Sequence, residues 1–448
     1  MGVSNAQLMA KVAEQRTLIP ALYGQVDFSI TPERYTEDEH VRSALQGPRR
    51  RRRNALLANR ELVGRIRAYT MLGDNVADAY AALMPEYGFR RLVAMLAEAC
   101  ERGVDTVAGA PPELVAFIRD MERIPAWLDM RLVEEGARAQ RNAAAHLGPY
   151  ILRGAFIATF MNKYAALPMA LTGTLSNQTA ARRVHETATF FTTTVMPGAL
   201  RRHGAGFKAA AMVRLMHSMV RFNALRKGSR WDVATYGIPI PQVDQMPAGL
   251  IDTYLLAEKV LGEGRTVFTR AERARVELAR YRCFLLGLPE DLLPATPQEL
   301  VDVLATRSAT LRAAYDDATC GELLRATMAA DLAPAQTLRE KLSVRMERGI
   351  SKLFFVRNFM AGDKTRAAKL GVVVTRGDLV AAAAAGALIS GRMRAYRLAA
   401  RVPGLDAVAD RCLVGKLTRL LASYGHAEFT SDAESYRPKH IKPEGTQA

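Results

Sequence analysis

The sequence predicts an all-α protein, and three observations support that fold class. Most long segments repeat apolar residues with the period of an amphipathic helix and are rich in Ala, Leu, Arg, Glu and Met, which favour helices. Alternating β-branched runs joined by Asn-Gly or Asp-Gly turns are not convincing anywhere, and the segment 370–375 is too short to form a sheet alone. Helix-start and helix-stop signals punctuate the periodic segments.

The expected organisation is one large helical domain between two terminal extensions. Residues 1–60 are predicted to form an arm and a basic segment, because the first 45 residues are polar and irregular and Arg49–Arg53 follow directly. Residues 61–430 contain the periodic segments and form the domain. Residues 431–448 are polar, contain two prolines and are predicted to be loose.

Two central helices follow each other within the domain. The first is predicted over residues 179–195 and ends at Met196-Pro197-Gly198, since proline and glycine stop a helix. The second is predicted over residues 207–226. With the helical rise of about 1.5 Å per residue, Thr187 on the first helix and His217 on the second lie at similar heights, so a flat cofactor fits between them.

Other segments complete the predicted layout. The stretch 236–242 is too rich in proline to be helical. Thr296 caps a helix, with Pro297 first and Glu at its third position. The apolar stretches 155–175 and 379–390 are, respectively, interrupted by polar residues and too short to span a membrane, which takes about 20 apolar residues. Both are therefore predicted to be buried core helices.

The composition limits the partners and the compartment. The net charge of +17 favours anionic partners. Arg49–Arg53 lack interleaved aromatic residues, which disfavours nucleic acid and leaves peripheral contact with an anionic membrane as the expected use. The four cysteines lie far apart and are expected to be buried free thiols. No secretory signal is visible at the N-terminus, so we expect a cytoplasmic protein.

One histidine lies in an unusual setting. His217 is surrounded by apolar residues in Val213-Arg-Leu-Met-His-Ser-Met-Val-Arg-Phe-Asn223. A neutral imidazole on an apolar helix is what a haem iron needs as its proximal ligand. Arg183 and Thr187, four residues apart on one face of the preceding helix, are suitable polar groups for the distal side. A satisfied core histidine explains the same spacing, so the pattern alone leaves both interpretations open.

Neighbouring charged residues extend this interpretation. Arg214 and Arg221 share the face of His217, and either one is a candidate to neutralise a haem propionate. His185 lies between Arg183 and Thr187 in the sequence but is predicted to point away from their face. The other five histidines show no ligand spacing.

The His217 segment closely resembles the haem-ligand helix of the latex-clearing proteins (rubber oxygenases) and of the wider family that contains the fungal MpaB-type oxygenases. Similar segments follow the family's order over about residues 110–300: Ile124-Pro-Ala-Trp-Leu-Asp129, Val195-Met-Pro-Gly-Ala-Leu200, Trp231-Asp with Gly237-Ile-Pro-Ile-Pro241, and Leu286-Gly-Leu-Pro-Glu-Asp-Leu-Leu-Pro294. The resemblance implies b-type haem on a globin-like helical core, and cleavage of isoprenoid carbon–carbon double bonds with dioxygen. It implies that His217 is the proximal ligand and that Arg183 and Thr187 flank the distal face.

The sequence departs from the family pattern on the distal side. The latex-clearing proteins carry a distal Glu upstream of the Arg, whereas Ala165–Met169 contains no carboxylate. Glu186 stands where the best-known members have Lys; we expect a solvated helix position there, with an acid–base role as the alternative. Phe222 stands where a second His is common. These departures imply a substrate other than rubber.

The function expected from these observations is that of a haem b-dependent oxygenase. It would use dioxygen on a hydrophobic, isoprenoid-like or lipid alkene, with Arg183, Thr187 and Glu186 as catalytic groups and His217 on the iron. A haem-binding sensor, carrier or peroxidase-like protein without oxygenase turnover is the alternative, favoured by the missing distal carboxylate. A third interpretation without haem is a basic helical protein that docks through Arg49–Arg53 to anionic membrane or nucleic acid.

Overall fold

Helices dominate the protein, as the sequence predicts. The computed structural model is 72% helical, and the part of the chain that it describes contains no strand. Isolated bridges join Tyr35 to Leu311 and Ser43 to Arg312. The structure describes residues 3–171, 180–226, 231–333 and 335–425.

Short connections join successive helices. Their bounds, in chain order, are α1 (Asn5–Leu18), α2 (Pro20–Tyr23), α3 (Arg53–Ala58), α4 (Arg60–Thr70), α5 (Asn75–Ala81), α6 (Met84–Tyr87), α7 (Phe89–Arg102), α8 (Pro112–Glu122), α9 (Met130–His146), α10 (Gly148–Ile157), α11 (Lys163–Leu171), α12 (Ala180–Thr193), α13 (Ala205–Leu225), α14 (Val233–Tyr236), α15 (Gln242–Gly262), α16 (Arg270–Leu285), α17 (Pro297–Thr310), α18 (Glu322–Ala329), α19 (Leu338–Phe359), α20 (Lys364–Lys369), α21 (Arg376–Ala399) and α22 (Leu405–Ser423). Single turns of tighter or wider helix occur at Gly47–Arg52, Val104–Thr106, Ala158–Met161, Glu290–Leu292 and Asp317–Gly321.

Capping boxes start several of these helices. The Thr296 hydroxyl accepts a hydrogen bond from the Glu299 backbone, and the Glu299 carboxylate accepts one from the Thr296 backbone, as predicted for α17. The same reciprocal arrangement begins α1, α16, α19 and α21. Each cap contributes about 1 kcal/mol by satisfying backbone donors that have no partner inside the helix.

The described residues bury two apolar clusters. The larger draws on α1 to α5, α7 to α9, α12, α13, α15 to α17 and α22, and the smaller on α10 to α12 and α18 to α20. Helix α12 takes part in both, since Ala180 and Val184 belong to the smaller cluster and Phe190 to the larger. The polar residues in the middle of α12 therefore lie at the seam between the two clusters.

Helix α13 is the central helix of the larger cluster. Its residues 210–216 are all buried, Arg214 among them, so the helix faces the protein interior around its whole circumference and is enclosed by others. Helices α2, α5, α7, α12 and α16 pack against it. Its bounds, and those of α12, agree with the two central helices predicted from the sequence. Thr179, the predicted start of the first, lies outside the described residues.

The N-terminal segment differs from its prediction. Residues 5–18 form a regular helix, not an irregular arm, because Leu8 and Val12, one turn apart, are buried in the larger cluster. Ser4 and Gln7 form the cap that starts this helix. The apolar face of this helix has only one residue per turn, so it is not recognisable in a segment that is otherwise polar.

The two apolar stretches have different outcomes. The first is confirmed as core over residues 155–170, where Phe156, Ile157 and Phe160 are buried, although the stretch is broken near Asn162; residues 172–175 lie outside the described residues. The second is wrong as a core helix, because it forms part of α21, where Val380 is 70% exposed and only one face is buried. No helix in the described part of the chain is long and apolar enough to cross a membrane.

Three of the four cysteines are buried free thiols, as predicted. Cys100, Cys283 and Cys320 are buried free thiols, whereas Cys412 is exposed because it lies on the outer face of α22. The predicted loose tail, residues 431–448, lies outside the described residues.

Candidate functional site

A chain of side-chain amides orients the His217 ring. The Nε2 group of Gln242 donates to the backbone carbonyls of Gly73 and Gly287, at 3.1 and 3.2 Å. The oxygen of Gln242 then accepts from Nε2 of Gln245 at 3.0 Å, and the oxygen of Gln245 lies 3.1 Å from Nδ1 of His217. Since an amide oxygen only accepts, Nδ1 must donate, and the proton is absent from Nε2. Two fixed backbone carbonyls thus select the tautomer that leaves Nε2 able to bind a metal.

The surroundings of His217 keep it neutral. Loss of hydration is the main cause that lowers its pKa to about 4, and the positive charges of Arg221 and Arg183 lower it further. The Gln245 hydrogen bond and the negative charge of Asp74 act in the opposite direction. The imidazole is therefore uncharged throughout the physiological range, as a metal ligand must be.

His217 nevertheless keeps some accessible surface, unlike its neighbours Met216 and Ser218, which are buried. Arg183 lies on α12, which packs against α13, and its charge is one of those that lower the pKa of His217. Arg183 and His217 are therefore on adjacent helices.

The three distal candidates share one segment of α12. The Arg183 guanidinium forms an ion pair with Glu186 at 2.5 Å, and the Thr187 hydroxyl donates to the backbone carbonyl of Arg183 at 3.3 Å. Arg183 and Thr187 are partly exposed, whereas Glu186 is buried. The expectation that Glu186 is solvated is wrong: it is 3% exposed, because both Arg182 and Arg183 pair with its carboxylate.

Arg214 and Arg221 already have carboxylate partners in the structure. Arg214 holds Asp74 through Nε and Nη2, at 2.5 and 2.9 Å, and its Nη2 lies 2.7 Å from Asp120. Arg221 pairs with Asp78 at 2.8 Å, and both side chains are fully buried. These contacts favour a role in positioning α13 against α5. Binding of a cofactor carboxylate by either arginine stays a prediction.

Arg221 also fixes the loop that leads into α15. Its Nη1 donates to the Ile240 carbonyl at 2.8 Å. Ile240 has a φ of +46°, which is strained for a β-branched residue and persists only where the surroundings impose it. The strained loop immediately precedes Gln242, so the Asp78–Arg221 pair helps to place the amides that orient His217.

Sequence reasoning missed the orienting residues. The partner of His217 is the side-chain amide of Gln245, on a helix that begins 17 residues after α13 ends. Two signals were present: Gln242 and Gln245 are polar residues one turn apart in an apolar helix, and Asp74 and Asp78 are a matching acidic pair.

His185 faces away from the site, as predicted. Its Nε2 donates to the Leu332 carbonyl at 2.9 Å, and its ring stacks on Tyr424 with 4.9 Å between centroids. Both partners lie on the side of α12 that faces α18 and α22. His185 is therefore engaged in packing.

The chain is similar to known proteins over the region that carries the site. The model of a family described as "ER-bound oxygenase mpaB/B'/Rubber oxygenase, catalytic domain" matches residues 143–391, more than half of the chain. A solved structure described as "Structure of Latex Clearing Protein LCP in the closed state" has a similar fold, with a TM-score of 0.54 at 18% identity, covering 78% of this chain and 91% of that chain. No curated protein matches the sequence.

Proposed function

Since the chain belongs to the mpaB and rubber oxygenase family and is therefore an oxygenase, we propose that it carries haem b on His217 and oxidises a hydrophobic alkene with dioxygen. Family membership confirms the resemblance inferred from the His217 segment. The haem, the dioxygen and the substrate class are the proposed part. The observation that carries the proposal is the largely dehydrated, neutral His217 whose Nε2 is left without a proton by the Gln242–Gln245 chain.

The residues present suit a haem in three respects. Nε2 of His217 would be available as a ligand for the haem iron. Gln245 holds the other ring nitrogen, as outer partners of metal-binding histidines do. The seam between the two apolar clusters, with partly exposed Phe191 and Val220 on the helices that border it, offers apolar walls for a flat hydrophobic group.

A haem iron bound here would supply the activation of dioxygen. Arg183 would offer N–H donors to an oxygen atom that gains negative charge during the reaction. Its ion pair with Glu186 holds the guanidinium in place. The Thr187 hydroxyl proton is directed to the Arg183 carbonyl, so its oxygen is available to accept a hydrogen bond from a protonated group.

Glu186 is the proposed acid–base group on this side. Its carboxylate is buried in the same turn as Arg183, at the seam where the substrate would lie. It is the one carboxylate of α12, and the stretch that holds a distal Glu in the latex-clearing proteins has none here. The substrate is proposed to be isoprenoid-like or lipid, because partly exposed apolar side chains such as Phe191 and Val220 lie beside the seam.

A haem protein without turnover is the second candidate. The observation that favours it is that the distal polar groups already have partners within the protein. Glu186 forms ion pairs with two arginines, and the Thr187 hydroxyl donates to a backbone carbonyl of its own helix. A sensor or carrier needs no group that moves a proton.

Oxygen uptake separates the two candidates. The haem-loaded protein should consume dioxygen when an isoprenoid alkene is added and release a carbonyl product. Glu186→Gln, which keeps the shape of the side chain, should reduce the rate by about 10²–10⁴-fold, the usual contribution of general acid–base catalysis. Arg182→Gln, which alters the exposed partner only, is the control. Haem binding without uptake would favour the sensor or carrier.

A further inference from the structure

Arg282 is a buried cation without a counter-ion among the described residues. It lies on α16 and is 5% exposed. Its Nε and Nη2 atoms are inaccessible and have no hydrogen-bond partner in the described part of the chain. Asp252, the carboxylate whose charge acts on it, is paired with Arg275 at 2.8 Å and is itself exposed. Loss of hydration lowers the pKa of Arg282 to about 10, which still leaves it charged at neutral pH.

The other buried arginines show how this chain normally treats such a group. Each has a carboxylate or several backbone carbonyls as partners. The pairs are Arg34 with Asp244, Arg141 with Asp410, Arg153 with Glu347, Arg214 with Asp74, Arg221 with Asp78 and Arg280 with Glu277, while Arg53 donates to the carbonyls of Glu39, Val41 and Ala309. Arg282 is the exception in the described part of the chain, and an unpaired buried charge destabilises the folded state.

The two unpartnered atoms belong to one edge of the guanidinium. Nε and Nη2 point in the same direction and together donate to both oxygens of a carboxylate. Arg214 uses this edge to hold Asp74, and Arg153 uses it to hold Glu347 at 2.9 Å for both bonds. The edge of Arg282 thus has the chemistry of a carboxylate site.

The position of Arg282 connects it to the candidate site. Its guanidinium lies 5.2 Å from the centroid of the Phe191 ring. Phe191 follows Thr187 by four residues and Arg183 by eight, so the three share one face of α12. Cys283, the next residue, packs against Gly249, one turn after Gln245 on α15. Arg282 therefore lies between the helix of the distal groups and the helix that orients His217.

We propose that Arg282 binds a carboxylate of the cofactor, a haem propionate, through its Nε and Nη2 edge. This rests on the proposed function, because it assumes haem at His217. The arginines predicted for this purpose, Arg214 and Arg221, already hold aspartates. A propionate on Arg282 neutralises the buried charge that remains and sets the orientation of the haem.

The test compares haem with haem dimethyl ester, in which both propionates are esterified and uncharged. Apoprotein is titrated with each and binding is followed by the Soret band. Arg282→Met removes the charge and keeps the length of the side chain, and Arg282→Lys restores the charge alone. Arg270→Met, an exposed position at the start of the same helix, is the matched control. The melting temperature of each apoprotein is measured in parallel.

We expect wild type and Arg270→Met to bind haem about 10- to 100-fold more tightly than the ester, the range for a charge-assisted hydrogen bond. Arg282→Met should lose that preference, and Arg282→Lys should regain part of it. The Arg282→Met apoprotein should melt at a higher temperature than wild type, because an unpaired buried charge has been removed.

Several results would overturn the proposal. If Arg282→Met keeps the full preference for haem, another group binds the propionates. If that variant does not fold, the wild-type comparison still tests the proposal, because an equal affinity of wild type for haem and ester would mean that no group binds the propionates. If neither compound gives a Soret band with wild type, haem binding itself is wrong, and the proposed function fails before Arg282 is reached.

Discussion

The protonation of one ring nitrogen decides what His217 can bind. In this protein the backbone carbonyls of Gly73 and Gly287 fix the orientation of the Gln242 amide. Gln242 then orients Gln245, whose oxygen accepts the Nδ1 proton of His217. Neither carbonyl is near His217 in the sequence. A short-range pattern identified the histidine, but its tautomer depends on elements from three parts of the chain.

Removal of the acceptor tests this chain of amides. In Gln245→Leu the Nδ1 proton loses its partner, and haem affinity should fall about 10- to 100-fold, as for other outer partners of metal-binding histidines. Gln245→Glu keeps an acceptor in the same place and should retain tight binding. Soret titration of the three apoproteins measures this. Equal affinities for wild type and Gln245→Leu would show that the amides do not orient the ring.

The lowered pKa of His217 gives a pH dependence with a defined sign. Between pH 6.5 and about 4 the unfolded chain binds a proton at His217 that the folded chain does not, so the free energy of unfolding falls as pH falls through this window. The full loss is about 3 kcal/mol, and none is expected above pH 6.5.

Urea unfolding of the apoprotein across this window measures the effect. His217→Gln should reduce the slope of the unfolding free energy against pH. His185→Gln is a useful comparison, because burial lowers the pKa of His185 as well. This variant measures how much of the pH dependence comes from His185. A slope that is the same in wild type and His217→Gln would mean that the ring is well hydrated.

At the scale of elements, the sequence predicts α12 and α13 well because each is periodic and bounded by strong stop signals. It predicts α1 and α21 poorly for opposite reasons. The apolar stripe of α1 is too narrow to show in a polar segment, and α21 has alanines on both faces, so its composition does not reveal which face is exposed. The pairing of α13 with α5 was not predicted, since Asp74 and Asp78 lie more than a hundred residues away.

The Asp78–Arg221 pair joins α5, α13 and the strained loop, so its loss should affect all three. Arg221→Met leaves the Asp78 carboxylate buried without its cation and should lower the free energy of unfolding by about 3–5 kcal/mol. The double variant Arg221→Met, Asp78→Leu should recover most of this. Denaturant unfolding of wild type, both single variants and the double variant measures the coupling. Additive losses would contradict the role assigned to the pair.

At the scale of the whole molecule, the all-α fold and the oxygenase family agree with what the sequence predicts. Less of the positive charge of the basic segment 49–53 is available to an external partner than the composition suggests. Arg49 pairs with Glu258 and Arg53 donates to three backbone carbonyls, which leaves Arg50, Arg51 and Arg52 as the more accessible part of the basic segment. Contact with an anionic membrane stays a prediction and would depend on those three.

Because the core is divided into two apolar clusters, a cofactor bound between them would stabilise the whole fold. The seam between them carries partly exposed Arg183 and Thr187, with buried Glu186 between, on a helix that belongs to both clusters. A flat apolar group at the seam would join the clusters and stabilise the folded state in proportion to its affinity and concentration.

The most direct test is the visible spectrum of the haem-loaded protein. Wild type and His185→Ala, whose histidine faces away from the site, should show the same Soret band. His217→Ala should lose it or shift it, and added imidazole, which can occupy the vacated place, should restore it. A Soret band that is identical in wild type and His217→Ala would contradict the central assignment, that His217 is the ligand of a haem iron.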